Sequence, residues 1–226
     1  MSKRLSRNER KAQTRAELID AAARVFARRG YHGTTVDDVA EEAGFTKGAF
    51  YSNFESKEDV FVELVADRGR NWTLAVARAY QGEEPLPERL RKGGKVLTHM
   101  VEHDTDWMRL AIEMWSQSVR DPRLRERLAT AYEECRQIIA RGIDQVEREF
   151  GVQLPISSDR VATLTMALTD GFVLQQLADR KRLPAGLLAE GINVLITGLM
   201  AVAGVPAGGR RESITGTRHR GDGADR

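Results

Sequence analysis

The chain has 226 residues, which suits either one large domain or a small domain on a larger body, and is long enough to bury a sizeable apolar core. Hydrophobic residues make up 41% and charged residues 30% of it, a balance that excludes a disordered polyelectrolyte. The net charge of +2 is too small to indicate a partner, and the single cysteine, Cys135, excludes an internal disulfide framework and a cysteine zinc site.

The N-terminal segment is strongly basic. Residues 1–15 contain one acid, Glu9, and six basic residues, which are Lys3, Arg4, Arg7, Arg10, Lys11 and Arg15. Such a segment is a common electrostatic footprint of proteins that touch the phosphate backbone of nucleic acid, and the alternative interpretation is a solubilising tail. We define residues 1–14 as a basic arm and expect Arg15 to reach phosphates or a neighbouring groove.

The first helix is predicted from about Lys11 to Arg29. Its apolar positions follow helical spacing on one face, and they are Leu18, Ala22, Val25 and Phe26. Gly30 follows directly and can supply a left-handed C-cap, while the basic residues before it suit the negative end of the helix dipole.

Two short helices come next. Thr35 is a good N-cap with Asp38 in capping-box position, so a second helix begins here and ends before Gly44. Thr46 then caps a third helix, predicted over Lys47–Asn53.

The segment at about 35–54 therefore has the arrangement of a helix-turn-helix, whose second helix lies in the major groove of DNA. Ser56 and Asp59 form another cap pair, which starts a long fourth helix that reaches towards Tyr80. Because about 50 residues bury little surface, we expect this head to lean on the fourth helix for stability.

Longer helices are predicted beyond Pro85, over 86–103, 106–118, 122–150, 158–180 and 185–203, so the chain is predicted to be all-α with about nine helices. The most apolar segment, 187–203, is short for a membrane span and contains Glu190. We interpret it as a buried helix and expect a cytoplasmic protein without membrane contact. Residues 205–226, rich in glycine and arginine and without periodicity, are predicted to form a disordered tail.

Several linked motifs resemble, in order, the head of the TetR (tetracycline repressor) family. They are F-A-R-R-G-Y at 26–31, T-T-V-D-D-V-A-E-E-A-G at 34–44, T-K-G-A-F-Y-S-N-F at 46–54 and S-K-E-D-V at 56–60. The resemblance covers roughly a quarter of the chain. It implies a homodimer, a DNA-reading head at 15–60, and a helical body at 61–204 that binds a small effector and dimerises through its last two helices.

The N-terminal end of the third helix enters the groove first in such a motif. Thr46 can cap the helix and donate to a phosphate, with capping alone as the alternative. We expect Lys47 to contact guanine acceptors or a phosphate. Gly48 and Ala49 are small enough for the backbone to approach the bases, and Ala49 can meet a thymine methyl group; plain helix packing is the alternative for both.

Other residues are predicted to position the DNA backbone rather than to read sequence. Tyr51 either belongs to the core or places its hydroxyl on a phosphate, and the family pattern favours the phosphate. Thr35, Ser52 and Lys57 are further candidates for phosphate contacts. Asn53 departs from the resemblance, since the family often has tyrosine or histidine there, although asparagine can also donate to phosphate.

The predicted helices of the body carry many aromatic and methionine side chains, which make adaptable walls for an apolar cavity and are also ordinary core material. With some polar neighbours, the candidate ligand-binding residues are Trp72, Met100, His103, Trp107, Leu110, Met114, Trp115, Tyr132, Cys135, Phe172 and Gln176. They predict a small, largely apolar effector between helices four and eight, and no cofactor.

The last two helices bear on dimerisation. The candidate interface residues are Leu164, Leu168, Leu187, Gly191, Val194, Leu195, Gly198 and Val202. Glycines seven residues apart permit close approach of a partner helix despite their propensity cost. These helices are therefore predicted to form a four-helix dimer interface, and the alternative is a wholly internal core.

An enzymatic alternative rests on one short motif. His99-Met100-Val101-Glu102-His103 matches the H-x-x-E-H pattern, which places two histidines one turn apart as a metal site requires. Motifs of this length arise often by accident, and no further ligand or substrate cleft can be placed. We therefore predict that the protein is not an enzyme and keep a metal-dependent hydrolase only as a remote alternative.

The sequence thus predicts a ligand-responsive transcriptional repressor that binds a palindromic operator in double-stranded DNA as a homodimer and is released by a small-molecule effector. Its two recognition helices would enter successive major grooves roughly 34–36 Å apart. A DNA-binding activator, or a regulator without a ligand, is the alternative.

Overall fold

The polypeptide forms nine helices and no strands in the computed structural model, which describes residues 6–205. The helices are α1 (Arg7–Arg29), α2 (Val36–Glu42), α3 (Lys47–Tyr51), α4 (Lys57–Ala79), α5 (Leu86–His103), α6 (Thr105–Ser118), α7 (Pro122–Phe150), α8 (Ser158–Ala178) and α9 (Gly186–Val202). The predicted all-α class is confirmed. The predicted tail from residue 206 onwards, and Lys3 and Arg4 of the basic arm, lie outside the described residues.

The first helix begins four residues earlier than predicted. Ser6 and Glu9 form a capping box: the Ser6 hydroxyl accepts from the Glu9 backbone N–H at 3.2 Å, and the Ser6 backbone N–H donates to the Glu9 carboxylate at 2.7 Å. Apolar spacing does not indicate this start, because the first two turns of α1 carry no apolar face. From Arg7 onwards the predicted basic arm is therefore helix.

Side-chain caps build the helix-turn-helix as the sequence predicts. Thr35 and Asp38 complete a capping box at the start of α2, and the Thr46 hydroxyl accepts from the Ala49 backbone N–H at 3.2 Å at the start of α3. Between the two helices Gly44 has φ of +72°, in the left-handed region that favours glycine.

Helix α3 ends at Tyr51, two residues before the predicted end at Asn53. The Ser52 hydroxyl donates back to the carbonyl groups of Gly48 and Ala49, at 3.1 and 2.9 Å. Such bonds satisfy the last carbonyl groups of a helix and close it.

The core of the head needs α4 to be complete. Phe26, Phe50 and Phe54 are almost fully buried and pack with Phe61 of α4, whose ring centroid lies 5.0 Å from that of Phe26. The guanidinium of Arg15 strengthens the junction between α1 and α4, as described below. The head consequently extends into the first turns of α4.

The same core continues into the body through α6. Trp107, Leu110 and Met114 of α6 belong to the buried cluster that contains Phe61, and Met114 is fully buried. A polar contact accompanies this packing, because the backbone N–H of Tyr31 donates to the Glu113 carboxylate at 3.2 Å. Head and body therefore share one apolar core.

The rest of the body is built from pairs of long helices: α4 packs against α7, α7 against α8, and α5 against α9. Val205 is buried beside Leu86 and Met200, so the predicted tail begins one residue too early. Helix α8 ends at Ala178 and not at residue 180, because Asp179 leaves helical geometry at φ of −145°. Among residues 6–205, no helix combines the length and apolar character needed to cross a lipid bilayer.

We predict that Met114→Ala destabilises the whole protein by about 2–4 kcal/mol, because it leaves a cavity in the core shared by head and body. Urea unfolding followed by circular dichroism and by tryptophan fluorescence should give coincident transitions at a lower midpoint. The matched control is Val119→Ala at the exposed end of α6, which should change stability by less than about 0.5 kcal/mol. Separate head and body transitions in the wild-type protein would contradict the shared core.

Candidate nucleic-acid interface and ligand cavity

The N-terminal half of α3 forms an exposed surface. Thr46, Lys47 and Gly48 are all exposed. The Thr46 hydroxyl accepts the capping bond described above and has no acceptor for its own proton among the described residues. The Lys47 ammonium donates to the Asp37 carboxylate at 3.0 Å, and this bond raises the pKa of Lys47, which remains charged. The surface thus presents one cation and one free hydroxyl donor.

Gly48 has no structural reason to be glycine. A Cβ built at this position would meet only the Thr46 Oγ1, at an ordinary van der Waals distance of 3.8 Å, and the backbone is helical. Glycine inside a helix costs roughly 0.5–1 kcal/mol relative to alanine. Packing among the described residues does not account for glycine here, which favours a close approach by a binding partner to the backbone of α3.

The polar groups of Tyr51, Ser52 and Asn53 differ in their availability to a binding partner. Tyr51 is 51% exposed, so the core alternative is wrong for this side chain. The hydroxyl of Ser52 is occupied by its bonds to helix carbonyl groups. The Asn53 side-chain N–H group donates to the Ala49 carbonyl at 2.8 Å, while its Oδ1 is buried without a partner among the described residues.

Arg15, for which we predicted a phosphate or groove contact, is half-buried and engaged within the head. Its guanidinium donates to both oxygens of Glu63 and to the Asn53 carbonyl, and it lies 4.1 Å above the centroid of the Phe54 ring. A cation in this position closes α1 against α4 and the end of the helix-turn-helix.

Lys57 and Thr35 are also engaged within the chain. The Lys57 ammonium donates to the carbonyl groups of Tyr31 and Thr34 at 2.9 and 2.8 Å, and it lies 4.2 Å from the Tyr31 ring centroid. The Thr35 hydroxyl donates to Asp38 at 2.7 Å and accepts from its backbone N–H. Both side chains stabilise the loop before α2, which leaves little of their hydrogen-bonding capacity for phosphate.

A cavity of about 760 Å³ lies in the body, with walls from α4 to α9 and a mostly apolar lining. Its size falls within the range of ligand sites in proteins. Five of the candidate ligand-binding residues line it, namely Trp72, Trp107, Trp115, Tyr132 and Cys135. Burial raises the pKa of the Cys135 thiol, which keeps it protonated.

The other six candidates do not line this cavity, which corrects the prediction for Met100, His103, Leu110, Met114, Phe172 and Gln176. Leu110 and Met114 face the core shared with the head, and Phe172 packs into the cluster between α5, α8 and α9. The Gln176 amide donates to the Leu183 carbonyl at 3.3 Å.

The remaining two lie on α5. His103 is exposed, with its Nδ1 2.8 Å from the His99 carbonyl oxygen, and Met100 is half-buried. All six residues lie on helices, as predicted, but only packing decides which face of a helix meets the cavity.

Several residues of the lining were missed. Tyr80 lies at the end of α4; burial raises its pKa to about 12, and its hydroxyl is 3.1 Å from the Asn193 Oδ1. Arg89 is 1% exposed and forms a bidentate pair with Glu149, at 2.9 and 3.0 Å. An arginine on an amphipathic helix resembles a surface residue in sequence, so nothing in its spacing indicates this burial.

Asp170 of α8 is the missed residue with the clearest chemical signal. It lines the cavity and accepts a hydrogen bond from the Tyr132 hydroxyl at 2.8 Å. Its apolar surroundings raise the pKa of the carboxyl group, and the bond from Tyr132 opposes that rise. One of three aspartates in a predicted helix of mixed polarity does not stand out in the sequence.

The histidines of the H-x-x-E-H motif stack on each other, with ring centroids 4.1 Å apart. Within residues 6–205, no group of three or more histidine, cysteine or acidic side chains is arranged to hold a metal ion. The geometry therefore offers the hydrolase alternative no support.

Helices α8 and α9 expose an apolar surface. Its largest exposed members are Leu164, Leu168, Leu174, Leu187, Val194 and Val202, of which Val194 and Val202 are 71% and 73% exposed. A Cβ at Gly198 would meet nothing within 4 Å, whereas one at Gly191 would lie 3.5 Å from the Leu168 side chain of the same chain. Leu195 is half-buried. Five of the eight candidate interface residues are thus large apolar side chains that are exposed in the single chain.

Comparison with known proteins matches both parts of the chain. Residues 18–64 match the family of bacterial regulatory proteins of the tetR type, and residues 87–199, half of the chain, match the C-terminal family described as BetI-type transcriptional repressors.

Individual relatives have low sequence identity to the chain, and the two described here are both transcriptional regulators. The transcriptional activator FasR of Mycolicibacterium smegmatis is 29% identical over 66% of this chain and 64% of its own length, so the chain spans slightly less than two thirds of that relative. The transcriptional repressor AcnR of Corynebacterium glutamicum is 25% identical over 83% of this chain and 91% of its own.

A solved structure from Mesorhizobium loti, described as a TetR-family transcriptional regulator, has the same fold. It superimposes with a TM-score of 0.68 at 20% identity, over 85% of this chain and 98% of its own. Proteins of this kind are transcriptional regulators and not enzymes. Because residues 18–64 and 87–199 match these two family descriptions and the fold agrees with a solved regulator, the chain belongs to the TetR family of DNA-binding transcriptional regulators.

Proposed function

We propose that the protein is a ligand-responsive repressor that acts in the cytoplasm, binds a palindromic operator as a homodimer, and is released when a small effector enters the body. The observation that carries the proposal is the exposed N-terminal end of α3, with a glycine that no contact among residues 6–205 requires. A head at 15–60, continued by the first turns of α4, would read the DNA, and a body over the remaining helices to residue 204 would sense the effector.

The DNA contacts follow from the free groups of α3. Thr46 would donate its hydroxyl proton to a phosphate, and Lys47 would exchange Asp37 for a base edge or a phosphate. Ala49, next to Gly48, would contact a thymine methyl group where α3 approaches the bases. Tyr51 would donate its exposed hydroxyl to a phosphate of the DNA backbone. Arg15, Thr35, Ser52, Asn53 and Lys57 would act mainly by holding α2 and α3 in position.

The homodimer is supported by the exposed apolar surface of α8 and α9. Monomeric proteins rarely leave a large contiguous apolar patch in water. A two-fold axis through these helices would bury Leu164, Leu168 and Val194 against their copies, and it would give the two heads the symmetry of a palindrome.

The release of DNA by an effector is supported by α6, because this one helix carries residues of both sites. Trp115 and Met108 line the cavity, while Met114 and Leu110 pack into the core of the head. A ligand that favours another position of α6 would therefore also disfavour the DNA-binding position of the head.

Activation instead of repression is the second candidate, since the relative FasR is an activator and AcnR is a repressor. Both signs of regulation use the same DNA and effector sites, so the predictions below apply to either.

Gly48→Ala is predicted to weaken operator binding at least tenfold and to leave stability unchanged or raised by up to about 0.5–1 kcal/mol. The added methyl group has room inside the chain but would stand between the backbone of α3 and the bases. Fluorescence anisotropy with DNA selected by the wild-type protein from a random library measures the affinity. Gly186→Ala, at the start of α9 with equally open space, is the control and should bind normally. Unchanged affinity of Gly48→Ala would argue against close approach at this position.

Val194→Glu is predicted to convert the dimer into a folded monomer, because it places a charge in the centre of an apolar interface that is exposed in the single chain. Sedimentation velocity should show the change of mass, and operator affinity should fall more than tenfold. Thr130→Glu on the exposed surface of α7 adds the same charge and should stay dimeric. A Val194→Glu protein that remains a dimer would refute this interface.

A compound that binds the cavity is predicted to raise the melting temperature and to lower operator affinity by about 5- to 150-fold, the usual range of allosteric coupling. The cavity can be blocked by Gly142→Trp, because a Cβ at this lining position would meet nothing within 4 Å. That variant should bind operator but lose the response to the compound. Ligands that bind the cavity without any effect on operator affinity would contradict the ligand-responsive part of the proposal.

A further inference from the structure

We propose that Asp37 of α2 determines DNA specificity, and that Asp37 and Lys47 together read one C·G base pair in each half of the operator. In this contact the Asp37 carboxylate accepts from the exocyclic amino group of cytosine, and the Lys47 ammonium donates to guanine. The inference deepens the proposed function and rests on its DNA contacts, because it assigns the base that Lys47 approaches and adds a residue of α2 to the reading surface.

Asp37 lies on the same exposed surface as the N-terminal end of α3. Its carboxylate accepts from the Lys47 ammonium at 3.0 Å, and both side chains are more than half exposed. Lys47 directly precedes Gly48, where the structure favours a close approach to the backbone of α3. A partner that meets the Lys47 ammonium therefore also comes within reach of the Asp37 carboxylate.

The stability of the head does not account for Asp37. The start of α2 is capped by Thr35 and Asp38, and Asp38 already supplies the acid that favours the first turn of a helix. Among residues 6–205 the Asp37 side chain has Lys47 as its only hydrogen-bond partner. An exposed ion pair of this kind contributes little to stability, because water and salt screen it. The fold therefore gives no strong reason for a carboxylate at this position.

A carboxylate beside a DNA-reading helix has an electrostatic cost. Double-stranded DNA carries one negative charge for about every 1.7 Å of its axis. When Lys47 leaves Asp37 for the DNA, the carboxylate loses its donor and faces this negative charge. Phosphate oxygens cannot replace the donor, because they only accept hydrogen bonds. Asp37 therefore disfavours binding to arbitrary DNA unless the groove itself offers a donor.

The major groove offers two kinds of donor, the N4 amino group of cytosine and the N6 amino group of adenine. Carboxylates pair with cytosine N4, and lysine pairs with the O6 and N7 acceptors of guanine. A C·G base pair presents both groups, because guanine is paired with cytosine. The base preference that follows from a carboxylate beside a lysine is therefore C·G.

The spacing of the two side chains fits the edge of that base pair. Guanine O6 and cytosine N4 are joined by an N–H···O hydrogen bond, whose usual length is about 2.9–3.0 Å. The Asp37 Oδ2 and the Lys47 Nζ are 3.0 Å apart. The protein thus presents an acceptor and a donor side by side, with the separation of the donor and the acceptor on the base pair.

A phosphate contact by Lys47 is the competing interpretation. The Asp37 carboxylate would then have no donor on the DNA, and it would oppose binding to every sequence equally. Removal of the carboxylate distinguishes the two interpretations. A base contact predicts the loss of a base preference and weaker binding to the operator, whereas a phosphate contact predicts a uniform gain of affinity.

The test uses the full-length protein and DNA that the wild type selects from a random library. Each position of the half-site is replaced in turn by the other three base pairs, in both halves, and affinity is measured by fluorescence anisotropy. Asp37→Ala should reduce the preference for C·G at one position at least fivefold, the effect expected for loss of one good base contact. It should also weaken binding to the selected operator and leave the preferences at the other positions unchanged.

Lys47→Ala identifies the base pair independently, because it removes the donor to the guanine of the same pair. It should reduce the preference at the position that Asp37→Ala affects. The matched control is Asp20→Ala, which removes an exposed carboxylate from α1 and should change every base preference less than twofold. Melting temperature and sedimentation velocity must show that the variants are folded and in the oligomeric state of the wild type.

Four results would each overturn the inference: unchanged preferences in Asp37→Ala, a uniform gain of affinity, an affected pair other than C·G, or different positions affected by Asp37→Ala and Lys47→Ala. The wild type tests the proposed function separately. If it selects no sequence, operator binding falls and the inference falls with it. A selected sequence that is not palindromic refutes binding as a symmetric dimer, while the comparison of variants still decides the role of Asp37. A palindrome whose preferences survive in Asp37→Ala refutes that role alone.

Discussion

The packing of α6 against the head is the contact on which the other features of the molecule depend. The head is too small to bury a sufficient core by itself, and it completes that core with Phe61 of α4 and with Leu110 and Met114 of α6. The opposite side of α6 contributes Trp115 and Met108 to the cavity. Stability of the DNA-reading part and the shape of the cavity are therefore determined by the position of one helix.

The parts predicted well from the sequence are those fixed by short-range interactions. Capping residues such as Thr35, Thr46 and Ser56 act within three or four positions, so the helix starts of the head could be read directly. The body was predicted less well, because long-range packing decides which face of a helix meets the cavity. Leu110 and Trp115 are alike in sequence character, yet the first lies in the shared core and the second lines the cavity.

Charged residues of the head show the same limit. A basic residue near a helix-turn-helix predicts a phosphate contact, but Arg15 and Lys57 bind carboxylate and carbonyl oxygens within the chain and lie over aromatic rings. A small core gains from such contacts, since each adds a polar link between two elements of the head. The sequence reveals the charge of these residues, and only the fold reveals that Glu63 is near enough to engage Arg15.

The length of α4 explains how a small tilt of this helix in the body could produce a large displacement of the head at the DNA. Its 23 residues span about 35 Å, with Val60 and Phe61 in the core of the head and Trp72 and Tyr80 in the cavity wall. A tilt of only about 5° over that length displaces one end by about 3 Å relative to the other. Because the head is bound to both α4 and α6, it cannot remain in place when a ligand separates these two walls of the cavity. In the proposed dimer, a ligand with a few kcal/mol of preference for the separated walls would then be sufficient to misalign the two heads on a palindromic operator.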